Sequence, residues 1–304
     1  MKNNYESLLM ETSGLRQGSV RLTWLGTAGV FIEDGKTGIL IDPYVSRFGM
    51  SAVALRLPLK PDRALIRKWV DKLGREKITA VIVSHSHFDH AADAPYFAVE
   101  TEAPLVGTES TVNVGRGADL EESKLIAVKP GQTMTFGDFT VTFIESVHGP
   151  AVLGRVPFPG TIDKPLVPPA AAGKYRLGGV FTLLIAHPAG TILHHGSAGF
   201  KPDMYDGISV DVLLMGISGR GNTDQYMENV ALKTRARLVL PIHLDNFFKP
   251  LKDGMSFLPM VKFDEFCCKA EKHRDIFMVR TMPLCKEIIA LPLDAAIAPD
   301  DAVR

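Results

Sequence analysis

Apolar and polar residues alternate through residues 20–32 (VRLTWLGTAGVFI), break between Gly26 and Gly29, and resume, which predicts a β-hairpin. Residues 38–43 (GILIDP) predict a third strand, ended by proline. The period then changes. Over residues 62–73 the apolar Leu65, Ile66, Trp69, Val70 and Leu73 recur on one helical face. Residues 78–85 (ITAVIVSH) form a continuous apolar run, the pattern of a strand buried on both faces. Residues 91–97 can start a helix, and residues 103–108 form another short strand.

Further strands are expected at 124–128, 139–146, 180–186 and 191–194, the last two joined by the turn His187-Pro188-Ala189-Gly190. Beyond them the pattern reads as strand 211–215, helix 224–233, strand 236–241, helix 264–273 and strand 276–280. Strand-rich stretches punctuated by a few helices predict an α/β (α+β) fold of two sheets with helices on their outer faces. The chain reads as a single domain over residues 1–304, with residues 1–18 as an N-terminal extension. Residues 150–179 stand apart, rich in proline and glycine and without periodicity. An irregular stretch of about 30 residues is more often a lid or binding loop than filler, and this one follows His148 directly.

Composition adds constraints. Hydrophobic residues make up 46% and charged residues 22%, as in a soluble globular protein. Thirty-four basic residues balance thirty-four acidic ones, so no global field draws nucleic acid or an anionic membrane. A local patch stays open, and a small-molecule substrate is the expected partner. No apolar run approaches a membrane span, and the N-terminus lacks the apolar core of a signal peptide. Cys267, Cys268 and Cys285 are odd in number, and an adjacent pair bridges only under strain, so they read as reduced thiols of a cytoplasmic protein.

The chemistry concentrates at His85-Ser86-His87-Phe88-Asp89-His90, between a buried strand and a helix. Three imidazoles and a carboxylate within six residues suit zinc or another borderline divalent metal. His148 ends a strand beside Gly149-Pro150, and His243 ends another, so both are placed to converge on this cluster. His187 in a turn and His273 in a helix read as solvated. His194 and His195 precede Gly196-Ser197-Ala198-Gly199 and are open to a supporting, substrate-facing or structural role, with His195 the possible substrate contact.

The pattern H-x-H-x-D-H at His85, His87, Asp89 and His90 resembles the hallmark of the metallo-β-lactamase fold superfamily. The early strand–glycine turn–strand, the strand ending at Asp42, His148, the HHGSAG strand end and Pro241–His243 follow in the matching order, so the likeness covers about residues 20–248. It implies a four-layer αβ/βα sandwich with metals at one edge. His85, His87 and His148 would hold the first metal, Asp89, His90 and His243 the second, and Asp42 would orient a ligand histidine. Hydrolytic members carry a bridging aspartate where this chain has Ser197, which leaves the second site short of one anionic ligand.

The resemblance implies two Zn2+ ions, with Mn2+ or Fe2+ as alternatives, and a metal-activated hydroxide attacking an ester, lactone, amide or phosphodiester bond, with Asp89 orienting it. The opening TWLGTAGVFIE and the closing PIH are similar to the branch of ascorbate-phosphate lactonase-like and N-acyl-phosphatidylethanolamine phospholipase-like hydrolases. Two other readings stay open: an iron-dependent redox member of the persulfide dioxygenase-like kind, and a non-catalytic binding module with a degenerate second site.

Overall fold

The computed structural model describes residues 4–12 and 18–293. The expected N-terminal extension lies partly outside these residues.

The first half of the chain forms β1 (Val20–Gly26), β2 (Gly29–Glu33), β3 (Gly38–Ile41), a short β4 (Pro58–Leu59), β5 (Ile78–Ile82), β6 (Leu105–Gly107) and β7 (Leu125–Ala127). The second half forms β8 (Thr133–Phe136), β9 (Phe139–Glu145), a short β10 (Ala170–Ala171), β11 (Phe181–His187), β12 (Gly190–His195), β13 (Val212–Gly216), β14 (Leu238–Ile242), β15 (Met278–Val279) and β16 (Glu287–Leu291). The α-helices are α1 (Asn4–Ser7), α2 (Met50–Ala54), α3 (Arg63–Leu73), α4 (Phe88–Ala91), α5 (Ala94–Thr101), α6 (Glu109–Gly117), α7 (Thr223–Tyr226) and α8 (Phe263–Ala270).

Two seven-stranded sheets result, in the orders β16-β1-β2-β3-β5-β6-β7 and β15-β14-β13-β12-β11-β9-β8. Each is antiparallel at one end and parallel at the other. The period of two along β2 and β3 explains the layering. Val30, Ile32, Ile39 and Ile41 point into the core between the sheets, while Phe31 and Leu40 point the other way, toward α3 and α5. With α7 and α8 covering the second sheet, the architecture is the expected four-layer sandwich.

The structure adds elements that the apolar pattern does not show. Helix α6 buries Ser110, Thr111 and Asn113 and contains two glycines, a composition that reads as coil. It is held by tertiary partners: Thr108 caps it, Asn113 Nδ2 donates to Ile162 O at 2.7 Å, and Ser110 Oγ accepts from Ile162 N at 2.9 Å. The expected helix 224–233 is α-helical only at Thr223–Tyr226, then opens into π-helical turns over Met227–Leu232, which keep Met227, Val230 and Ala231 buried. The expected helix 91–97 becomes two, α4 and α5, parted near Asp93.

Candidate metal centre

His85 and His87 leave the C-terminal end of β5, and Asp89 and His90 lie in the first turn of α4. His148 follows β9, and His243 follows β14. Two groups form, His85–His87–His148 and Asp89–His90–His243, with the donor atoms of each within 4.8 Å of one another. These are the two triplets that the resemblance implies.

The imidazoles are spaced and oriented as metal ligands would be. His85 Nε2 and His87 Nδ1 face each other at 3.1 Å. Ligands at ~2.05 Å around a tetrahedral ion stand roughly 3.3 Å apart, so the spacing suits two nitrogens on one metal. The opposite nitrogen of each ring is occupied. His85 Nδ1 donates to Ser84 Oγ (3.2 Å), His87 Nε2 to Pro157 O (2.9 Å), His148 Nδ1 to Gly149 O (2.7 Å) and His90 Nδ1 to Asp42 Oδ2 (2.8 Å). Each bond fixes the tautomer that leaves the other nitrogen's lone pair bare. His243 is the exception among these rings: Nε2 lies 3.3 Å from Asp89 Oδ2, and its buried Nδ1 has no partner.

Burial sets the charge state. It drives the pKa of His85 well below its ordinary value, His87 to about 3 and His148 to about 4, so the first triplet is neutral and able to ligate. For His90 burial acts downward too, but the carboxylates of Asp42 and Asp89 outweigh it and raise the pKa. Burial alone would raise Asp89; His90 and His243 overcome that and hold it ionised.

Asp42 and His243 occupy the left-handed region, at φ 45° and 54°, as do Thr27, Arg47 and Ala198 nearby in the chain's turns. Such strain persists only where surroundings enforce it. Here the enforcing pair is Arg47 and Asp245, which sequence reasoning missed. Arg47 Nη1 binds Asp245 Oδ2 at 2.7 Å, Arg47 Nη2 donates to Leu25 O, Asp245 Oδ1 accepts from Thr27 N, and His243 N donates to Thr27 O. The clamp ties the His243 turn to the β1–β2 turn. A Cβ on Gly26 would fall 1.9 Å from Arg47 Nη2, so that glycine makes room for it.

Ser197 lines the same cavity, its Oγ donating to Val147 O at 3.1 Å. His195 does not reach the cavity. It is fully buried, enclosed by Thr182, Tyr205 and Tyr226, with Nδ1 at 2.6 Å from the Tyr205 hydroxyl; this corrects the expectation of a substrate contact. His194 is buried as well and donates from Nε2 to Ala28 O. His273 is half-buried against Phe277.

His187 is not solvated as expected: its side chain is only 6% exposed, stacked near Phe139 and 3.6 Å from Asp34. With Asp138 it forms a third group of ligand type. However, its Nδ1 accepts the Ala189 amide, so a neutral ring carries its proton on Nε2, the nitrogen that faces Asp34. That tautomer makes a histidine–carboxylate contact and leaves no lone pair for a metal.

A cavity of about 720 Å3 opens over the two triplets, bounded by Phe88, Val156, Phe158, Phe247 and Leu258 among others. Within 150–179, residues 151–158 line it, while Leu166 and Asn113 are joined by a backbone hydrogen bond and Val167 faces solvent.

A family model described as a beta-lactamase superfamily domain matches residues 21–243. A UPF0173 metal-dependent hydrolase of Pyrobaculum islandicum is 27% identical over 236 residues, covering 75% of this chain and 85% of its own. Among solved structures, the metallo hydrolase Igni18 from Ignicoccus hospitalis superposes with a TM-score of 0.56 at 18% identity, over 89% of this chain and 97% of its own. The metallo-beta-lactamase fold protein YhfI of Bacillus subtilis gives 0.54 at 17% identity, over 88% and 98%.

Proposed function

Because this chain belongs to the beta-lactamase superfamily domain family, we propose that it is a metal-dependent hydrolase with a dinuclear centre at the two triplets. The observation that carries this reading is the tautomer pattern, in which four imidazoles are pinned from outside so that their bare nitrogens face a shared space. Zinc is the metal that best suits these imidazole and carboxylate donors, with manganese or iron next. A divalent ion bound there supplies a water acidic enough to ionise near neutral pH and a Lewis acid for the scissile oxygen.

The chain's own groups do the rest. Asp89, held ionised, accepts a hydrogen bond from the attacking water and orients it. Ser197, neutral where a bridging aspartate is expected, leaves the second triplet one negative charge poorer. Phe88, Phe158, Phe247 and Leu258 exclude bulk water and favour a small-molecule substrate with an acyl or aromatic part next to an ester, lactone, amide or phosphodiester bond. Three free thiols support a reducing, cytoplasmic setting. Among the described residues no helix is long and apolar enough to cross a membrane.

The test is a hydrolysis screen of zinc-loaded protein on ester, lactone, amide and phosphodiester panels, with His87→Ala as control. Activity lost in the control supports the reading, and no activity above the control on any panel ends it. Metal analysis separates the alternatives: about two zinc per chain fits the hydrolase, one iron fits the redox reading, and none after reconstitution fits a binding module.

A further inference from the structure

Three segments meet at the mouth of the cavity: residues 50–60, which include α2 and contribute Val53; residues 151–158; and residues 247–262, which contribute Phe247, Phe248 and Leu258. Each turns large apolar side chains outward. Leu153 is 95% exposed, Met260 87% and Leu55 70%, while Val152, Met50 and Leu57 stand about half open. Among the described residues these are six of the ten large apolar side chains open to solvent, on 35 of 285 positions. Val152 and Leu153 line the cavity itself, and Met50, Leu55, Leu57 and Met260 stand on the segments that supply its other apolar walls. Single exposed apolar residues are ordinary, but such a concentration on three segments is not.

The charge on the same segments is one-sided. Arg56, Lys60, Arg155, Lys249, Lys252 and Lys262 are all exposed, and Asp253 is the one acidic residue among them. The three segments therefore carry a net charge of about +5, in a chain whose formal net charge is zero, although Lys262 also pairs with Glu265 at 3.7 Å. Protruding apolar side chains interspersed with Lys and Arg are the composition of a surface that lies on anionic lipid. A groove for a peptide helix or an open strand edge would call for a continuous apolar channel. Here the exposed apolar groups are spread over three separate segments.

We propose that this rim docks on an anionic phospholipid surface, with Leu153, Met260 and Leu55 entering the interface and the basic residues facing headgroups. The mouth of the cavity then opens toward the lipid, and an amphiphile reaches the metal-ligand triplets without crossing bulk water. Docking needs neither metal nor catalysis, so it stands or falls apart from the hydrolase reading.

Co-sedimentation tests it, using the full chain with vesicles of phosphatidylcholine alone or mixed with phosphatidylglycerol. The expected result is binding to the mixed vesicles at least about tenfold tighter than to phosphatidylcholine, falling as salt rises. Two double variants, Leu55→Ser with Met260→Ser and Lys252→Gln with Lys262→Gln, should each weaken it by roughly tenfold, with Tm and metal content unchanged. Failure of the unaltered chain to sediment with mixed vesicles at low salt would overturn the proposal. Unchanged binding by both double variants would do the same, as would tighter binding to a soluble acidic amphipathic peptide than to vesicles.

Discussion

Asp42 Oδ2 receives both the Nδ1 proton of His90 at 2.8 Å and the hydroxyl of Ser84 at 2.6 Å, so one buried carboxylate acts on a histidine of each triplet, on His85 through Ser84. Ser84 passes the effect on, because its Oγ accepts the Nδ1 proton of His85. Asp42 thus sets a tautomer in each triplet. Asp42→Ala should lower metal affinity by about 10–100-fold, the usual cost of losing such a partner, with His90's site the more affected. Competitive metal titration checks this; unchanged affinity at both sites would contradict the assignment.

Ser197 faces the cavity from a position where a carboxylate is expected by resemblance. Ser197→Asp should raise affinity for the second metal by about tenfold or more, since an anionic ligand is added to two imidazoles and one carboxylate. Metal-limited titration resolves it. Equal occupancy in both proteins would mean that Ser197 does not stand between the metals.

The Arg47–Asp245 pair is almost fully enclosed, at 2.7 Å. Arg47→Ala leaves Asp245 buried and uncompensated, and should cost about 3–5 kcal/mol in urea unfolding. Because the pair anchors the His243 turn, the second metal should also bind more weakly, and the first nearly as before. A variant that loses stability while retaining both affinities would sever the clamp from the metal centre.

Burial lifts Asp93 to about 6, against ~3.9 in an unfolded chain. Its carboxyl is held by Val45 N, Ser46 N and Ser46 Oγ. Between those values the native state keeps a proton that the unfolded chain has released. The stabilising contribution is therefore complete below about pH 4 and declines as pH rises through about 6, by on the order of 3 kcal/mol. Because Asn mimics the protonated carboxyl and does not titrate, the unfolding free energy of the unaltered chain should fall relative to that of Asp93→Asn as pH rises across this range. Parallel curves would show that Asp93 titrates normally.

The legible part of the molecule was that which repeats or clusters. Alternation marks β1 and β2, and ligand-type residues at strand ends mark His148 and His243. What escaped the pattern depends on distant partners. Nothing local in Arg47 foretells Asp245, 198 residues away, and α6 is helical through its bonds to Ile162 rather than through its own composition. His187 illustrates the converse: its turn sequence suggested solvent, but Asp34 and Phe139 arrive from other hairpins and cover it.

The pairing of β1 with β16 joins Thr23 to Glu287 across 264 residues. During synthesis, β1 must wait for a partner strand that lies 264 residues further along the chain. His85 to His90 emerge long before that strand exists, so a nascent chain presents open imidazoles on an unfinished sheet. Completion of the sheet whose β5 leads into these histidines is therefore a long-range step of folding, later than the synthesis of the histidines themselves.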